Sequence, residues 1–146
     1  MEGVAVVRPT YETESDLRNE RDVVEVFNKL WGTQAHKLPR AYSLDYLLTR
    51  GSDAVAFVEI KCRQVPSGKY DTLMISMAKI LKGRAITRET GIPSVLVVKW
   101  NDKTGYVHMP EIDMDVRVGG RRDRGDAQDI EPVCMIPINS FRGVET

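Results

Sequence analysis

The segment over residues 54–63, AVAFVEIKCR, constrains the fold most, because it places two charged residues in an otherwise apolar run. Successive side chains of a strand alternate between its faces, so Glu59 and Lys61 share one face with Val55 and Phe57. Both faces are largely apolar, as in a strand covered on both sides, where an ionised group costs several kcal/mol unless it is paired or liganded. The segment alone leaves two explanations open: a structural ion pair, or a metal-binding carboxylate beside a catalytic ammonium.

The length and charge of the chain limit its class. The 146 residues predict one domain, residues 1–146, with a core over about residues 14–110. The chain has 21 basic and 21 acidic residues, which excludes the overall positive field of a nonspecific nucleic-acid binder. Any site for a polyanion must therefore be a local patch.

Cysteine usage and hydropathy exclude two further classes. Cys62 and Cys134 are far apart, and neither His36 nor His108 lies at zinc-site spacing from them. No apolar run approaches the roughly 20 residues that span a bilayer, and the first residues do not resemble a signal peptide. We therefore expect a cytoplasmic protein with no membrane partner.

Turn and breaker residues divide the chain into helices and strands. A helix over residues 14–31 is predicted to be capped by Thr13, and a second, over residues 71–90, by Asp71, each ended by a glycine. Strands are predicted over residues 42–49, 54–63, 94–100 and 106–110, with shorter extended segments over residues 4–7, 36–37 and 132–138. This order predicts an α/β sandwich around a mixed sheet.

Glu20 interrupts the apolar arc of the first predicted helix. At 100° per residue it falls between Phe27 and Trp31. A carboxylate aimed at the core needs a cation or strong donors, unless it reaches solvent or the positive end of the helix dipole. The functional alternative is that Glu20 points to the sheet edge where Asp45 and Glu59 converge.

Asp45 interrupts the preceding apolar strand, where aspartate is disfavoured. Directly opposed residues of a hairpin share a face, so Asp45 joins Glu59 only if paired positions sum to an even number. A three-residue loop over residues 51–53 pairs Arg50 with Ala54 and sets Asp45 opposite Glu59. The proposed site depends on this register.

Three acids and one lysine at converging positions suit hydrolysis of a phosphodiester. Asp45 and Glu59, with the backbone carbonyl of Ile60, offer hard oxygen ligands for Mg²⁺ or Mn²⁺, which polarises a phosphate and lowers the pKa of a bound water. Lys61 would orient that water or neutralise developing charge. Glu20 would complete a second metal position or hold metal-bound waters.

These residues resemble the PD-(D/E)xK nuclease superfamily, with Asp45, an acid-x-lysine motif at residues 59–61, and Glu20 on the preceding helix. The element order over residues 14–100 looks like its restriction-endonuclease-like αβββαβ core, a mixed sheet flanked by helices. The layout is most similar to Holliday-junction resolvases and small phage or virus-type replication-repair nucleases. The resemblance implies endonucleolytic hydrolysis of DNA with Mg²⁺ or Mn²⁺, a homodimer, and the cytoplasm of a bacterial or phage-infected cell.

Basic residues outside the motif indicate where nucleic acid would lie. On the second predicted helix, Lys79 and Lys82 fall on the polar side, whereas Arg84 and Arg88 return to the apolar stripe. Either the helix projects beyond the core after Gly83, or these two arginines border the cleft and contact phosphates. Residues 117–131 form a predicted exposed loop rich in arginine and glycine. The predicted nucleic-acid contacts are Lys79, Lys82, Arg84, Arg88, Arg121, Arg122 and Arg124.

Two other functions remain open at this level. A noncatalytic nucleic-acid-binding or assembly module with this fold predicts binding without turnover in Mg²⁺ or Mn²⁺. An ordinary α/β domain with a structural Glu59–Lys61 pair predicts no stabilisation by metal and a large loss of stability on Lys61→Ala.

Overall fold

The computed structural model describes residues 14–119 and 130–144, leaving aside the side chain of Asp16. Its helices are α1 (Glu14–Trp31) and α2 (Met77–Thr90). Its strands are β1 (Gln34–Lys37), β2 (Tyr46–Arg50), β3 (Asp53–Cys62), β4 (Thr72–Ser76), β5 (Ser94–Lys99), β6 (Thr104–His108), β7 (Val116–Gly119), β8 (Glu131–Pro137) and β9 (Arg142–Val144). The predicted strand over residues 4–7, the Thr13 cap and most of the predicted loop, with Arg121, Arg122 and Arg124, lie outside the described residues.

The strands form two sheets. The larger has the order β1-β2-β3-β5-β6-β9 and the smaller the order β4-β8-β7. In the larger sheet β3 and β5 run parallel, whereas the other neighbours are antiparallel. The mixed α/β fold is therefore confirmed, and α1-β1-β2-β3-α2-β5 reproduces the predicted αβββαβ order with β4 inserted before α2.

Apolar clusters cover both faces of the larger sheet, as the composition of its central strands predicts. The cluster on the α1 face includes Val23, Val24, Phe27, Leu48, Val58 and Val97. The cluster on the α2 face includes Leu73, Ile75, Ile80, Leu96, Val98 and Ile136. Each fully buried side chain of this kind stabilises the fold by about 1.5–3 kcal/mol. This double cover gives β3 the buried setting in which its charged residues lie.

The second helix begins later than predicted. Residues 71–90 were expected to be helical from a cap at Asp71, but Thr72–Ser76 is a strand and α2 starts directly after it. Leu73 and Ile75 are buried whereas Met74 is exposed, which is the two-residue period of a strand. Pairing with β8, far along the chain, outweighs the local helical pattern.

The strand predicted over residues 42–49 also begins later. Pro39 is followed by a 3-10 turn at Arg40–Tyr42, and Ser43 takes the left-handed conformation, with φ of 62°. Asp45 therefore lies between this turn and β2, directly before the strand. The residue before it, Leu44, packs in the core of the α2 face.

The hairpin between β2 and β3 reaches the predicted even sum over Tyr46–Leu48 by a different route, and the predicted opposition of Asp45 and Glu59 lies beyond its last pair, Tyr46–Val58. The three-residue loop is wrong, because Gly51 and Ser52 form a two-residue turn. The unpaired residue Val55 then forms a β-bulge in β3, so the numbers of the paired residues beyond it again sum to an even value. The pairs are Arg50–Asp53, Thr49–Ala54, Leu48–Ala56, Leu47–Phe57 and Tyr46–Val58. As a correction to the predicted alternation, Val55 packs with the α1 cluster and does not share a face with Glu59.

The remaining strands agree with the sequence pattern except at the edges. Strands β3, β5, β6 and β8 lie within one or two residues of their predicted bounds, and the segment at residues 36–37 belongs to β1. Strands β7 and β9 were not predicted. Neither α1 nor α2, the helices of the described ranges, is long and apolar enough to cross a membrane.

Candidate active site

Glu59 is a buried carboxylate on β3. Its parallel partner on β5 is Leu96, a residue of the α2-face cluster, so Glu59 and Lys61 face α2. The Glu59 side chain is 2% exposed, and its Oε2 lies 3.2 Å from Lys61 Nζ. Its Oε1 has no hydrogen-bond donor among the described residues, although Lys79 Nζ lies 3.5 Å away. One oxygen of this buried acid therefore lacks a hydrogen bond.

The electrostatic setting of Glu59 follows from this geometry. Burial raises the pKa of its carboxyl above the ordinary value, and it is opposed first by the Lys61 ammonium. The negative charge of Asp45 raises the pKa further, and Lys79 lowers it. The ionised carboxylate is thus less stable here than in water, in spite of two nearby lysines.

Asp45 is held rigidly at the end of β2. Its N–H donates to the Val58 carbonyl at 3.0 Å, and its carbonyl accepts from Leu38 N–H at 2.9 Å. Its Oδ2 accepts from Ile60 N–H at 2.8 Å. In antiparallel pairing the N–H and C=O of a residue point to the same side, so the Ile60 carbonyl lies on the Asp45 side of β3. The register thus brings Asp45 beside the acid-x-lysine motif.

Glu20 is buried as predicted, and its partner is Lys37, which sequence reasoning missed as a site residue. The two charged groups are 3.0 Å apart, and Lys37 Nζ is also 3.5 Å from Asp45 Oδ1. Lys37 lies over the ring of Tyr46, 5.0 Å from its centre. Glu20 belongs to the α1 side and Glu59 to the α2 side, so Lys37 connects Glu20 to the site at the sheet edge.

Lys79, predicted as a nucleic-acid contact, lies inside the site. It is in the first turn of α2, and its Nζ donates to the Ser43 carbonyl while facing Glu59 Oε1. The left-handed conformation of Ser43 belongs to the turn that presents this carbonyl. Because α2 starts at Met77, Lys79 lies in its first turn and lines the cavity with Glu59.

A cavity of about 340 Å³ joins these groups. It is lined by the four predicted catalytic residues Glu20, Asp45, Glu59 and Lys61, and by Ile60, Lys37, Lys79 and Arg40. A larger cavity of about 630 Å³ lies between α1 and the β5–β6 turn and is lined by none of them. The smaller cavity is the candidate site, because it contains the buried acid with an unbonded oxygen.

Three predicted nucleic-acid contacts on α2 do not line this cavity. Arg84 donates to the carbonyls of Met109, at 3.3 Å, and of Ile112, and so stabilises the turn after β6. Lys82 is exposed. Arg88 is exposed and lies 3.6 Å from Glu89.

The donor set fits a hard divalent cation bound by two carboxylates. The described residues contain no group of three or more histidine, cysteine or acidic side chains placed to hold a metal. Mg²⁺, however, is commonly bound by one or two carboxylates together with water and substrate phosphate. Asp45 and Glu59 form such a pair, and the buried Glu59 Oε1 is an acceptor without a donor. Glu20 lies outside this pair, on Lys37.

Comparisons with known proteins agree with this architecture. No curated protein matches the chain significantly in sequence. Among solved structures, Hjc from Archaeoglobus fulgidus, a Holliday junction resolvase from an archaeal hyperthermophile, superposes with a TM-score of 0.60 at 17% identity, over 90% of this chain and 92% of that chain. This similarity shows the fold. A family model described as "Phage putative PDDEXK endonuclease" matches residues 6–144. The chain therefore belongs to the phage PDDEXK endonuclease family.

Proposed function

We propose that this protein is a metal-dependent endonuclease that hydrolyses phosphodiester bonds of DNA, with Asp45, Glu59 and Lys61 as its catalytic residues. The observation that carries the proposal is the buried Glu59 carboxylate in the cavity that it shares with Asp45 and Lys61, because its Oε1 has no hydrogen-bond donor within the described ranges of the chain. An unsatisfied buried carboxylate oxygen is destabilising. Cation binding explains why this oxygen is kept available, whereas a structural ion pair does not.

Asp45 and Glu59, with the Ile60 carbonyl, would hold Mg²⁺ or Mn²⁺. When bound, such an ion neutralises phosphate charge and lowers the pKa of a water. The backbone bonds of Asp45 fix its carboxylate before substrate arrives, which avoids reorganisation during the reaction.

Lys61 supplies a positive charge next to these acids. Its side chain is 31% exposed, so the ammonium reaches the cavity while it contacts Glu59. From there it would donate a hydrogen bond to the attacking water or to a phosphate oxygen as negative charge develops. Water oxygen then bonds to phosphorus and one of its protons passes to solvent, while the bond from phosphorus to the sugar oxygen breaks and that oxygen takes a proton from solvent.

DNA is the expected substrate, and branched DNA is a candidate because the fold is that of a Holliday junction resolvase. The chain has no net charge, which favours local, structure-selective contacts over nonspecific coating. Lys79 at the cavity, Lys82 and Arg88 on α2, and the arginines of the predicted loop would contact the backbone. Cutting both strands of a junction symmetrically would require a homodimer.

A substrate panel tests this proposal. Linear, flapped and four-way DNA, and RNA, are incubated under single-turnover conditions with Mg²⁺, with Mn²⁺ and with a chelator. We expect internal cleavage of DNA only with metal, and a loss of at least about 10²-fold in Lys61→Ala. Binding without cleavage of any substrate would support the noncatalytic module instead. An unchanged rate in Lys61→Ala would exclude its proposed role.

A further inference from the structure

Each of the two acids proposed to bind metal has one firmly held oxygen and one loosely held oxygen. Asp45 Oδ2 accepts from Ile60 N–H at 2.8 Å, and Glu59 Oε2 lies 3.2 Å from Lys61 Nζ. The other two oxygens, Asp45 Oδ1 and Glu59 Oε1, each face a lysine ammonium at 3.5 Å. These ammonium groups belong to Lys37 and Lys79, which come from opposite sides of the cavity.

Both lysines have a second acceptor that is not part of the acid pair. Lys37 Nζ lies 3.0 Å from Glu20 Oε1, closer than to Asp45. Lys79 Nζ donates to the Ser43 carbonyl. An ammonium has three donors, so each lysine can lose its contact with the acid and remain anchored at the cavity.

We infer that Lys37 and Lys79 are exchangeable counter-ions of the metal site. In the metal-free protein they neutralise Asp45 Oδ1 and Glu59 Oε1. A divalent cation replaces both contacts, and the lysines, still anchored by Glu20 and Ser43, then face the substrate phosphate. This inference rests on the proposed function and assigns Glu20 a role as a positioning residue for Lys37.

The exchange conserves charge around the two acids. Two ammonium groups bring two positive charges, and one divalent cation brings the same number. Two positive charges therefore face these carboxylates before and after binding, which matters most for Glu59, because a buried acid left without a partner is strongly destabilising. The released ammonium groups offset the charge of the incoming phosphate.

Metal affinity without nucleic acid tests the exchange directly. Mn²⁺ is titrated into the protein and its free concentration is measured by electron paramagnetic resonance. Because each lysine competes for an acid oxygen across a partly exposed contact, Lys37→Met and Lys79→Met should each bind Mn²⁺ about fivefold more tightly than wild type.

Two control variants separate competition from the loss of charge. Lys29→Met removes an exposed charge about 13 Å along α1 from Glu20. Arg40→Met removes a charge from the lining of the same cavity, and Arg40 has no ion pair with either acid in the described structure. Lys29→Met should bind Mn²⁺ within about twofold of wild type, because its charge lies beyond a Debye length from the site. Arg40→Met should tighten binding less than Lys37→Met, because Arg40 does not compete for an oxygen of either acid in the described structure. Equal tightening in Arg40→Met and Lys37→Met would overturn the exchange.

A double-mutant cycle tests the role of Glu20. If Glu20 acts through Lys37, Glu20→Gln weakens Mn²⁺ binding in the wild-type background, because Lys37 then holds Asp45 more closely. The same change has no effect in a Lys37→Met background. If Glu20→Gln weakened Mn²⁺ binding equally in both backgrounds, Glu20 would be a metal ligand itself, and the positioning role would be excluded.

A measurement on the wild-type protein removes any dependence on folding of the variants. The side-chain NMR signals of Lys37 and Lys79 should shift on addition of Mg²⁺, whereas those of Lys29 should not. Unchanged signals at saturating Mg²⁺ would overturn the exchange while leaving the nuclease proposal intact. A wild-type protein that neither binds Mn²⁺ nor cleaves DNA would instead reject the proposed function.

Discussion

The cavity around Glu59 and the hairpin around Asp102 both use a carboxylate, in opposite ways. Asp102 lies on the surface in the β5–β6 turn, and Ser67 satisfies both of its oxygens: N–H donates to Oδ1 at 2.7 Å and the hydroxyl to Oδ2 at 2.8 Å. These bonds lower the pKa of Asp102. Glu59 is buried, one of its oxygens has no hydrogen-bond donor in the part of the chain that the structure describes, and burial raises the pKa of its carboxyl.

The difference separates a structural acid from a candidate functional one. Asp102 connects the loop after β3 to the β5–β6 turn, and its ionised form is the stable form in the folded protein. The environment of Glu59 disfavours its ionised form. A strained acid of this kind is typical of a residue with a function other than stabilising the fold. Substitutions at the two acids and at their partners test this contrast.

The largest effect is expected at Asp45, the rigid partner of Glu59. Asp45→Asn keeps an oxygen that accepts from Ile60 N–H but removes the charge, so cleavage should fall by more than about 10²-fold with little change in stability. Asp45→Ala should lose the same activity and also about 1–3 kcal/mol of unfolding free energy, because the Ile60 N–H loses this acceptor. Single-turnover cleavage and urea denaturation measure the two effects.

Cleavage of DNA by Asp45→Asn at the wild-type rate would show that Asp45 is not a catalytic residue. Equal stability of the two variants would show that the bond to Ile60 contributes nothing measurable.

The next effect is an opposite pH dependence of stability in the metal-free protein. The pKa of Glu59 is raised on folding, so its contribution is fully present below the unfolded pKa and is lost as pH rises through the folded pKa. The pKa of Asp102 is lowered, so its contribution is present above the unfolded pKa and is lost as pH falls through the folded pKa.

Urea denaturation between about pH 2 and 8 checks both slopes against the reference values of acidic side chains, about 3.9 and 4.3. Glu59→Gln should reduce the loss of unfolding free energy as pH rises, and Asp102→Asn should reduce the loss of unfolding free energy as pH falls. If Glu59→Gln left the curve unchanged, the assignment of the raised pKa would be wrong.

The smallest effect is expected at Ser67, which contacts only the structural acid. Ser67→Ala removes the hydroxyl bond to Asp102 and keeps the backbone bond, so the melting temperature should fall by no more than about 3 °C. Cleavage should not change, since Ser67 does not line the 340 Å³ cavity. A loss of cleavage comparable to that of Asp45→Asn would erase the distinction between the two regions.

Local sequence patterns predicted the helices and strands whose structure depends on their own residues and not on pairing with a distant segment. Helix α1 follows from its apolar arc and Gly32, and β3 from its apolar run between turn residues. The start of α2 did not follow, because Thr72–Ser76 becomes a strand only through its pairing with β8. The register of the β2–β3 hairpin was predicted, yet the loop that was expected to set it was wrong and the Val55 bulge compensates.

The candidate site divides in the same way. The burial of Glu20 was visible as a polar interruption of an apolar arc, but its partner Lys37 belongs to a polar segment, QAHK, with no periodic signal. Its spatial position depends on the pairing of β1 with β2. Arg84 was expected at the cleft and instead holds the turn at Met109–Glu111, a turn that the sequence pattern did not indicate.

Glu59→Gln separates a catalytic from a structural role of Glu59, because one substitution changes both the cleavage rate and the energetic cost of burying this acid. Single-turnover cleavage of DNA in Mg²⁺ and thermal melting of the metal-free protein are measured near pH 7 beside wild type. Cleavage should fall by at least about 10²-fold, while stability stays within about 1 kcal/mol of wild type or rises. Wild-type cleavage, or a loss of several kcal/mol of stability with no metal-induced stabilisation of the wild type, would show that Glu59 is a structural ion-pair partner.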